Sequence, residues 1–89
     1  MEWAAWTSPG VYTGTGGVRT DEAGVVAGDL TVHTTWVGGR AHVAVQYTGA
    51  SEWFTMTGSP RACRLETQAR ALHQAAVDAV RAGHAATLP

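Results

Sequence analysis

A diglycine, Gly38-Gly39, separates two segments in which apolar and polar residues alternate. The first segment runs from Asp29 to Val37 and the second from Arg40 to Tyr47. This pattern indicates a β-hairpin, because the tight turns that join antiparallel strands need positive φ at their centre. Placing Val37 opposite Arg40 then fixes every later pair of the hairpin.

This register sorts the side chains of the hairpin onto two faces. The apolar face consists of Leu30, Val32, Thr34, Trp36, Ala41, Val43, Val45 and Tyr47. The opposite face carries Thr31, His33, Thr35, His42, Ala44 and Gln46. Because both alternations agree under one register, the pattern specifies which face is buried.

A third strand is predicted after the turn residues that follow the hairpin. In the register that sets Phe54 beside Val45, Met56 also lies on the apolar face. Trp53 and Thr55 then lie on the opposite face. The predicted β-meander therefore spans residues 29–57.

A single helix is predicted over residues 59–83. Ser59 is a favourable N-cap, Pro60 suits the first helical position, and Gly83 suits a left-handed C-cap. Apolar residues recur at helical spacing and comprise Ala62, Leu65, Ala69, Leu72, Ala76 and Val80. Since most of them are alanine, we expect the helix to lie close to the apolar face of the sheet.

The glycine-rich region 1–28 is expected to add one or two strands and loops, but its glycines obscure the register. Trp3 and Trp6 are three residues apart, so they point to opposite sides of any straight strand. One of these indoles therefore needs cover from the N-terminal loop or from a second copy of the chain.

Together these elements predict a single α+β domain over residues 1–89. We expect an antiparallel β-sheet of three to five strands, with one long C-terminal α-helix packed on one face. The sheet face opposite the helix is then left open to solvent or to a partner.

Composition narrows the possible functions. Seven acidic and six basic residues give a net charge of −1, which argues against a cationic nucleic-acid clamp and a polybasic membrane binder. A single cysteine excludes an internal disulfide and a cysteine-based zinc site. The first ten residues lack the pattern of a signal peptide, and no apolar run is long enough for a membrane helix, so we expect a cytoplasmic protein.

The open face is the candidate partner-binding site. Its residues are Thr31, His33, Thr35, His42, Gln46, Trp53 and Thr55. Threonine and histidine with one tryptophan suit a protein-binding or self-pairing face. A solvated antiparallel face is the alternative, because threonine is also simply a good strand residue.

We predict no catalytic residue, metal or cofactor. His33 and His42 are diagonal neighbours in the hairpin, but no third ligand accompanies them. His73 has Glu66 on much the same side of the helix, without a nucleophile. Cys63 lies in the first turn of the predicted helix, with no histidine placed beside it.

Nucleic-acid binding is the alternative function. The contacts would be Arg19, Arg40, Arg61 and Arg64, together with the sheet face. Arg61 and Arg64 also lie in the first turns of the predicted helix, where backbone N–H groups favour an anion. The near-neutral charge predicts little counterion release on binding.

The sequence therefore favours a small non-enzymatic protein-interaction module. We expect it to bind a protein partner or itself, as a homodimer, through the open sheet face or a strand edge. Such size and composition are typical of regulatory, accessory or inhibitor proteins of bacteria and mobile elements.

Overall fold

A computed structural model describes residues 2–89. It confirms the predicted α+β class: a five-stranded antiparallel sheet and a small two-stranded sheet, with one C-terminal helix against the larger sheet. The elements are β1 (Trp3–Tyr12), β2 (Val18–Thr20), β3 (Gly24–Val26), β4 (Asp29–Val37), β5 (Arg40–Tyr47), β6 (Phe54–Thr55), β7 (Arg61–Ala62) and α1 (Glu66–Ala82).

The predicted hairpin is β4–β5, and its register is confirmed from Val37 opposite Arg40 to Leu30 opposite Tyr47. The third strand is also confirmed, because β6 pairs with β5 and sets Phe54 opposite Val45. Strands β1 and β5 flank β4, and the short strands β6 and β7 both pair with the outer side of β5.

The glycine-rich N-terminal region contributes one long strand and the small sheet. Strand β1 pairs antiparallel with β4 and sets Trp3 opposite Val37, with an irregularity between Ser8 and Val11. Strands β2 and β3 pair with each other, and a bridge between Thr20 and Met56 joins them to the end of the meander.

The core lies between α1 and the predicted apolar face of the sheet. All eight hairpin residues of that face are buried except Tyr47, which is 40% exposed at the end of β5. The buried residues of α1 are Ala69, His73, Ala76, Val77 and Val80. Ala69 and Ala76 are fully buried in the core between the helix and the sheet.

The predicted start of the helix is wrong. Helix α1 begins at Glu66 after the N-cap Leu65, and not after Ser59. The Gln68 side-chain oxygen accepts hydrogen bonds from the backbone N–H groups of Arg64 and Leu65, at 2.8 and 3.1 Å. The predicted end is correct, because Gly83 is the C-cap, but its φ of +78° and ψ of −138° lie outside the left-handed helical region that the sequence predicts.

The helix begins later than predicted because residues 59–63 pair with the outer side of β5. Ser59 Oγ accepts a hydrogen bond from Val43 N at 2.8 Å, and Cys63 N donates to Gly39 O at 2.9 Å. Between them β7 pairs with Arg40 and Ala41. These tertiary hydrogen bonds outweigh the local helix signal of a serine followed by a proline.

Three predictions that depended on the early helix start are therefore corrected. Ala62 lies in β7, and Leu65 is 58% exposed rather than part of the buried stripe. Cys63 precedes the helix instead of occupying its first turn. Arg61 lies in β7 and Arg64 precedes α1, so neither stands in the first turn of the helix, on which the alternative of an anion site depended.

Within residues 2–89, no helix combines the length and apolar character needed to cross a membrane.

Candidate functional site

The sheet face opposite α1 holds the candidate site, which we call the open face. It brings together all seven residues that the sequence singled out, since the predicted registers hold. His42 and Trp53 are exposed, Thr31 is buried, and the remaining four are half-buried. The structure adds three residues of β1 to the same face: Trp3, Ala5 and Thr7 lie opposite Val37, Thr35 and His33.

His33 is the centre of the hydrogen bonding on the open face. Its Nδ1 lies 2.7 Å from Thr7 Oγ1, and its Nε2 lies 3.1 Å from Thr35 Oγ1. The indole of Trp53 lies across from it, with ring centroids 5.7 Å apart and planes tilted by 56°. Ala44 of β5 lies opposite His33 on one side and Thr55 of β6 on the other, and its small side chain leaves room for this contact.

This arrangement does not favour a metal at His33 and His42. Both ring nitrogens of His33 are engaged by threonine hydroxyls. In the described part of the chain, no three His, Cys, Asp or Glu side chains gather as metal ligands. The imidazole of His33 is instead fixed in orientation as part of a hydroxyl-rich surface.

The two N-terminal indoles lie on opposite sides of β1, as the sequence predicts. Trp3 is on the open face and is 67% exposed. Trp6 is half-buried on the helix side, where its ring stacks on His73 with centroids 6.4 Å apart. The sequence does not predict Trp3 as a site residue. The glycines of region 1–28 obscure the register of β1, and the spacing of the two indoles does not indicate which one faces outward.

Strand β1 also leaves one backbone edge unpaired. The carbonyl of Asp29, the first residue of β4, accepts a hydrogen bond from the N–H of Thr48, which follows β5. The carbonyl of the preceding residue, Gly28, accepts one from the N–H of Thr13, which follows β1. Backbone N–H and C=O groups point to alternate sides of a strand from one residue to the next. Those of the even-numbered residues of β4 therefore point toward β1, where they bond the backbone of Ala4, Trp6 and Ser8. The N–H and C=O groups of Trp3, Ala5 and Thr7 therefore point away from the sheet.

The edge at β6 is closed by contrast. Glu22 accepts hydrogen bonds from the backbone N–H and the hydroxyl of Thr55, at 2.6 and 2.7 Å. These two bonds, the side-chain bond first, lower the pKa of the Glu22 carboxyl. The neighbouring Asp21 N donates to Thr55 O, and Thr57 N donates to Arg19 O, each at 3.0 Å. Within residues 2–89, the long exposed edge of the sheet is thus β1.

A second polar cluster lies on the buried side. His73 bonds Thr34 Oγ1 through Nδ1 at 2.7 Å and Ser8 Oγ through Nε2 at 2.9 Å. These are the observed partners of His73, rather than the Glu66 that the sequence suggested. Both ring nitrogens are bonded to hydroxyl groups and the ring is buried, so the cluster ties α1 to β4 and β1.

The predicted arginine contacts are dispersed. Arg61 donates to the carbonyls of Leu88 and Pro89 near the C-terminus. Arg61 lies opposite Ala41, on the face away from Arg40. Arg64 lines a shallow cleft of about 350 Å³ at the hairpin end, together with Glu2, Trp36, Gly38, Gly39, Leu65 and Glu66.

Comparisons with protein-family models, with curated proteins and with solved structures find no match to this chain. The geometry of the open face and of the β1 edge is therefore the basis for assigning a function.

Proposed function

We propose that this protein is a non-enzymatic protein-interaction module that binds through the open face and the β1 edge. One observation carries the proposal: Trp3, which is 67% exposed, is also a residue whose backbone groups point away from the sheet. A partner strand added at β1 would therefore gain backbone hydrogen bonds and an aromatic anchor together.

The remainder of the open face suits the same role. Trp53 is 43% exposed, and its ring lies against that of His33. The open face therefore presents a second indole whose side-chain rotation is restricted by this contact. The threonine hydroxyls around His33 offer hydrogen bonds to a partner backbone or side chain. Exposed tryptophans are over-represented among the residues that dominate binding energy at protein interfaces.

Protein binding is favoured over nucleic-acid binding by where the charge lies. Arg40 is on the open face, whereas Arg61 is on the other face and is engaged by C-terminal carbonyls. The net charge is −1, so a polyanion would meet few clustered cations. An electrophoretic shift with duplex DNA, single-stranded DNA or RNA at low salt would favour the nucleic-acid alternative instead.

The proposal is tested by affinity capture with tagged wild type and with Trp3→Ala and Trp53→Ala variants, in the presence of the untagged chain. We expect a captured protein to be lost with one or both variants, or the untagged chain to be lost with Trp3→Ala, since Trp3 lies on β1. Leu65→Ala is the matched control, because Leu65 is 58% exposed but lies before α1 and off the open face. Capture that is equal for all four proteins would overturn the proposal.

A further inference from the structure

We infer that the occupant of the β1 edge is a second copy of this chain, joined by antiparallel pairing of β1 with β1 across a two-fold axis at Ala5. This inference rests on the proposed function and names its partner. The resulting sheet would run continuously through both copies, with both open faces on one side and both α1 helices on the other.

The edge has the properties that favour strand addition. From Trp3 to Ser8 it carries no charged side chain and no proline, which are the devices that usually protect an exposed edge. Pairing with an added strand would end at Pro9, which lacks an N–H group, just before the irregularity between Ser8 and Val11. The stretch available to a partner is therefore short and defined.

Self-pairing also specifies its own register. With Ala5 opposite Ala5 of the second copy, Trp3 lies opposite Thr7, and all the outward backbone groups pair, with two hydrogen bonds in each of three pairs. A shift of two residues in one direction sets Trp3 opposite Pro9, which donates no hydrogen bond. A shift in the other direction sets Trp3 opposite Ala5 and leaves Thr7 without a partner in β1 of the second copy, which begins at Trp3.

The side chains are complementary in this register. The smallest side chain of the outward set, that of Ala5, meets its own copy at the axis, where a large residue would clash. Trp3 lies beside Thr7 of the second copy and so covers the Thr7–His33 hydrogen bond of that copy. This supplies the cover that the exposed indole lacks in one copy.

Charge and area are consistent with a reversible dimer. Glu2, the charged residue nearest the edge, lies opposite Ser8 of the second copy, so no like charges meet. Two indoles and two short strands bury roughly 1,000 Å² in total, at the lower limit for specific interfaces. We therefore expect a dissociation constant on the order of micromolar.

The first test is analytical ultracentrifugation of the full chain at concentrations from below to well above this range. Wild type is expected to dimerise, and Ala5→Arg to weaken the dimer at least tenfold, because two arginines would meet at the axis. Ala23→Arg is the matched control, since Ala23 is exposed in the loop between β2 and β3. Ala5→Pro, which removes an N–H group unused within one copy, should also be monomeric while keeping the far-ultraviolet circular dichroism of wild type.

The second test addresses the register. In a Cys63→Ala background, Ala5→Cys places two thiols at the axis, with Cα atoms about 5.5 Å apart, within the range of a disulfide. Oxidation should give a covalent dimer with Ala5→Cys and little with Ala23→Cys. Equal crosslinking of the two variants would refute the register even if wild type is dimeric.

The outcomes separate this inference from the proposed function. A wild-type chain that stays monomeric, but captures another protein through Trp3 or Trp53, refutes the self-pairing and supports the proposed function. A chain that is monomeric and captures nothing contradicts both. A dimer that is unaffected by Ala5→Arg and Ala5→Pro shows that the copies meet elsewhere, and it overturns the inference.

Discussion

His73 Nδ1 lies 2.7 Å from the hydroxyl oxygen of Thr34, in the interior between α1 and β4. Thr34 is fully buried, and His73 is only 6% exposed. Ser8 Oγ contacts the other ring nitrogen at 2.9 Å, so one imidazole links three elements. A neutral ring satisfies both contacts, because one nitrogen donates to a hydroxyl and the other accepts from one.

We predict that the free energy of unfolding decreases in mild acid because of His73. Burial, and then repulsion from His33, lowers the pKa of His73 in the folded protein. Because the pKa of His73 is lower in the folded than in the unfolded state, the neutral ring contributes to stability, and this contribution is fully present above the unfolded pKa of about 6.5. It is lost as pH falls from there through the folded pKa. Urea unfolding between pH 7.5 and 5 should show this decrease.

A pair of glutamine substitutions assigns the pH effect to its residue. His73→Gln should reduce the slope of stability against pH below 6.5, because the titrating group is gone. His42→Gln is the matched control, since it makes the same substitution at a histidine that is exposed on the open face, and His73→Gln should reduce the slope more than this control does. An unchanged slope in His73→Gln would show that another group causes the acid sensitivity.

The indole of Trp36 is predicted to stabilise the segment between β7 and α1. Its Nε1 donates to the Cys63 carbonyl at 2.8 Å, and both residues are buried. Trp36→Phe keeps an aromatic ring but leaves that carbonyl without its donor, so we expect a loss of about 1–3 kcal/mol in urea unfolding. Trp3→Phe, at an exposed position, should change stability by less than about 0.5 kcal/mol. Equal effects would contradict the hydrogen bond.

The sheet was predictable where local and long-range signals agree. Gly38 and Gly39 specify the turn, and the alternation on both sides of them specifies which face is buried, so the β4–β5 register follows from the sequence. Strand β6 follows by the same alternation from Val45 and Phe54. The composition of the open face was predictable for the same reason.

The start of α1 and the pairing of β1 were determined by tertiary contacts that no local sequence pattern encodes. Ser59 and Pro60 are a favourable helix start, but Ser59 is used to bond Val43, and the chain joins the sheet before turning into α1. The pairing of β1 with β4, on which the position of Trp3 depends, joins residues 17 to 34 positions apart along the chain. Glycines within and after β1 removed the alternation that would have revealed it.

Glu22 is predicted to protect the β6 edge in a pH-dependent way. Its bonds to Thr55 lower its pKa below the usual 4.5, so the ionised form is favoured in the folded state. The contribution is present above about pH 4.5 and is lost as pH falls through the lower folded pKa. The hydrogen-exchange protection factor of the Thr55 amide should fall in acid and in Glu22→Gln.

An internal control distinguishes this local effect from general unfolding. Met56 N donates to the backbone carbonyl of Val43 at 3.0 Å, without a carboxylate. Its protection factor should therefore change less than that of Thr55, both in acid and in Glu22→Gln. Parallel loss at the two amides would mean that the whole edge opens and that Glu22 has no local role.

The glycine at the end of α1 is predicted to be far less replaceable than the glycine of the hairpin turn. A Cβ at Gly83 would overlap the Thr15 carbonyl oxygen, because the loop before β2 packs directly against the helix end. At Gly38, also at positive φ, nothing lies within 4 Å of such a Cβ. We expect Gly38→Ala to cost about 1 kcal/mol of unfolding free energy and Gly83→Ala about 3 kcal/mol or more. Thermal and urea unfolding of the two variants measures the difference, and similar losses would contradict the close approach of loop and helix.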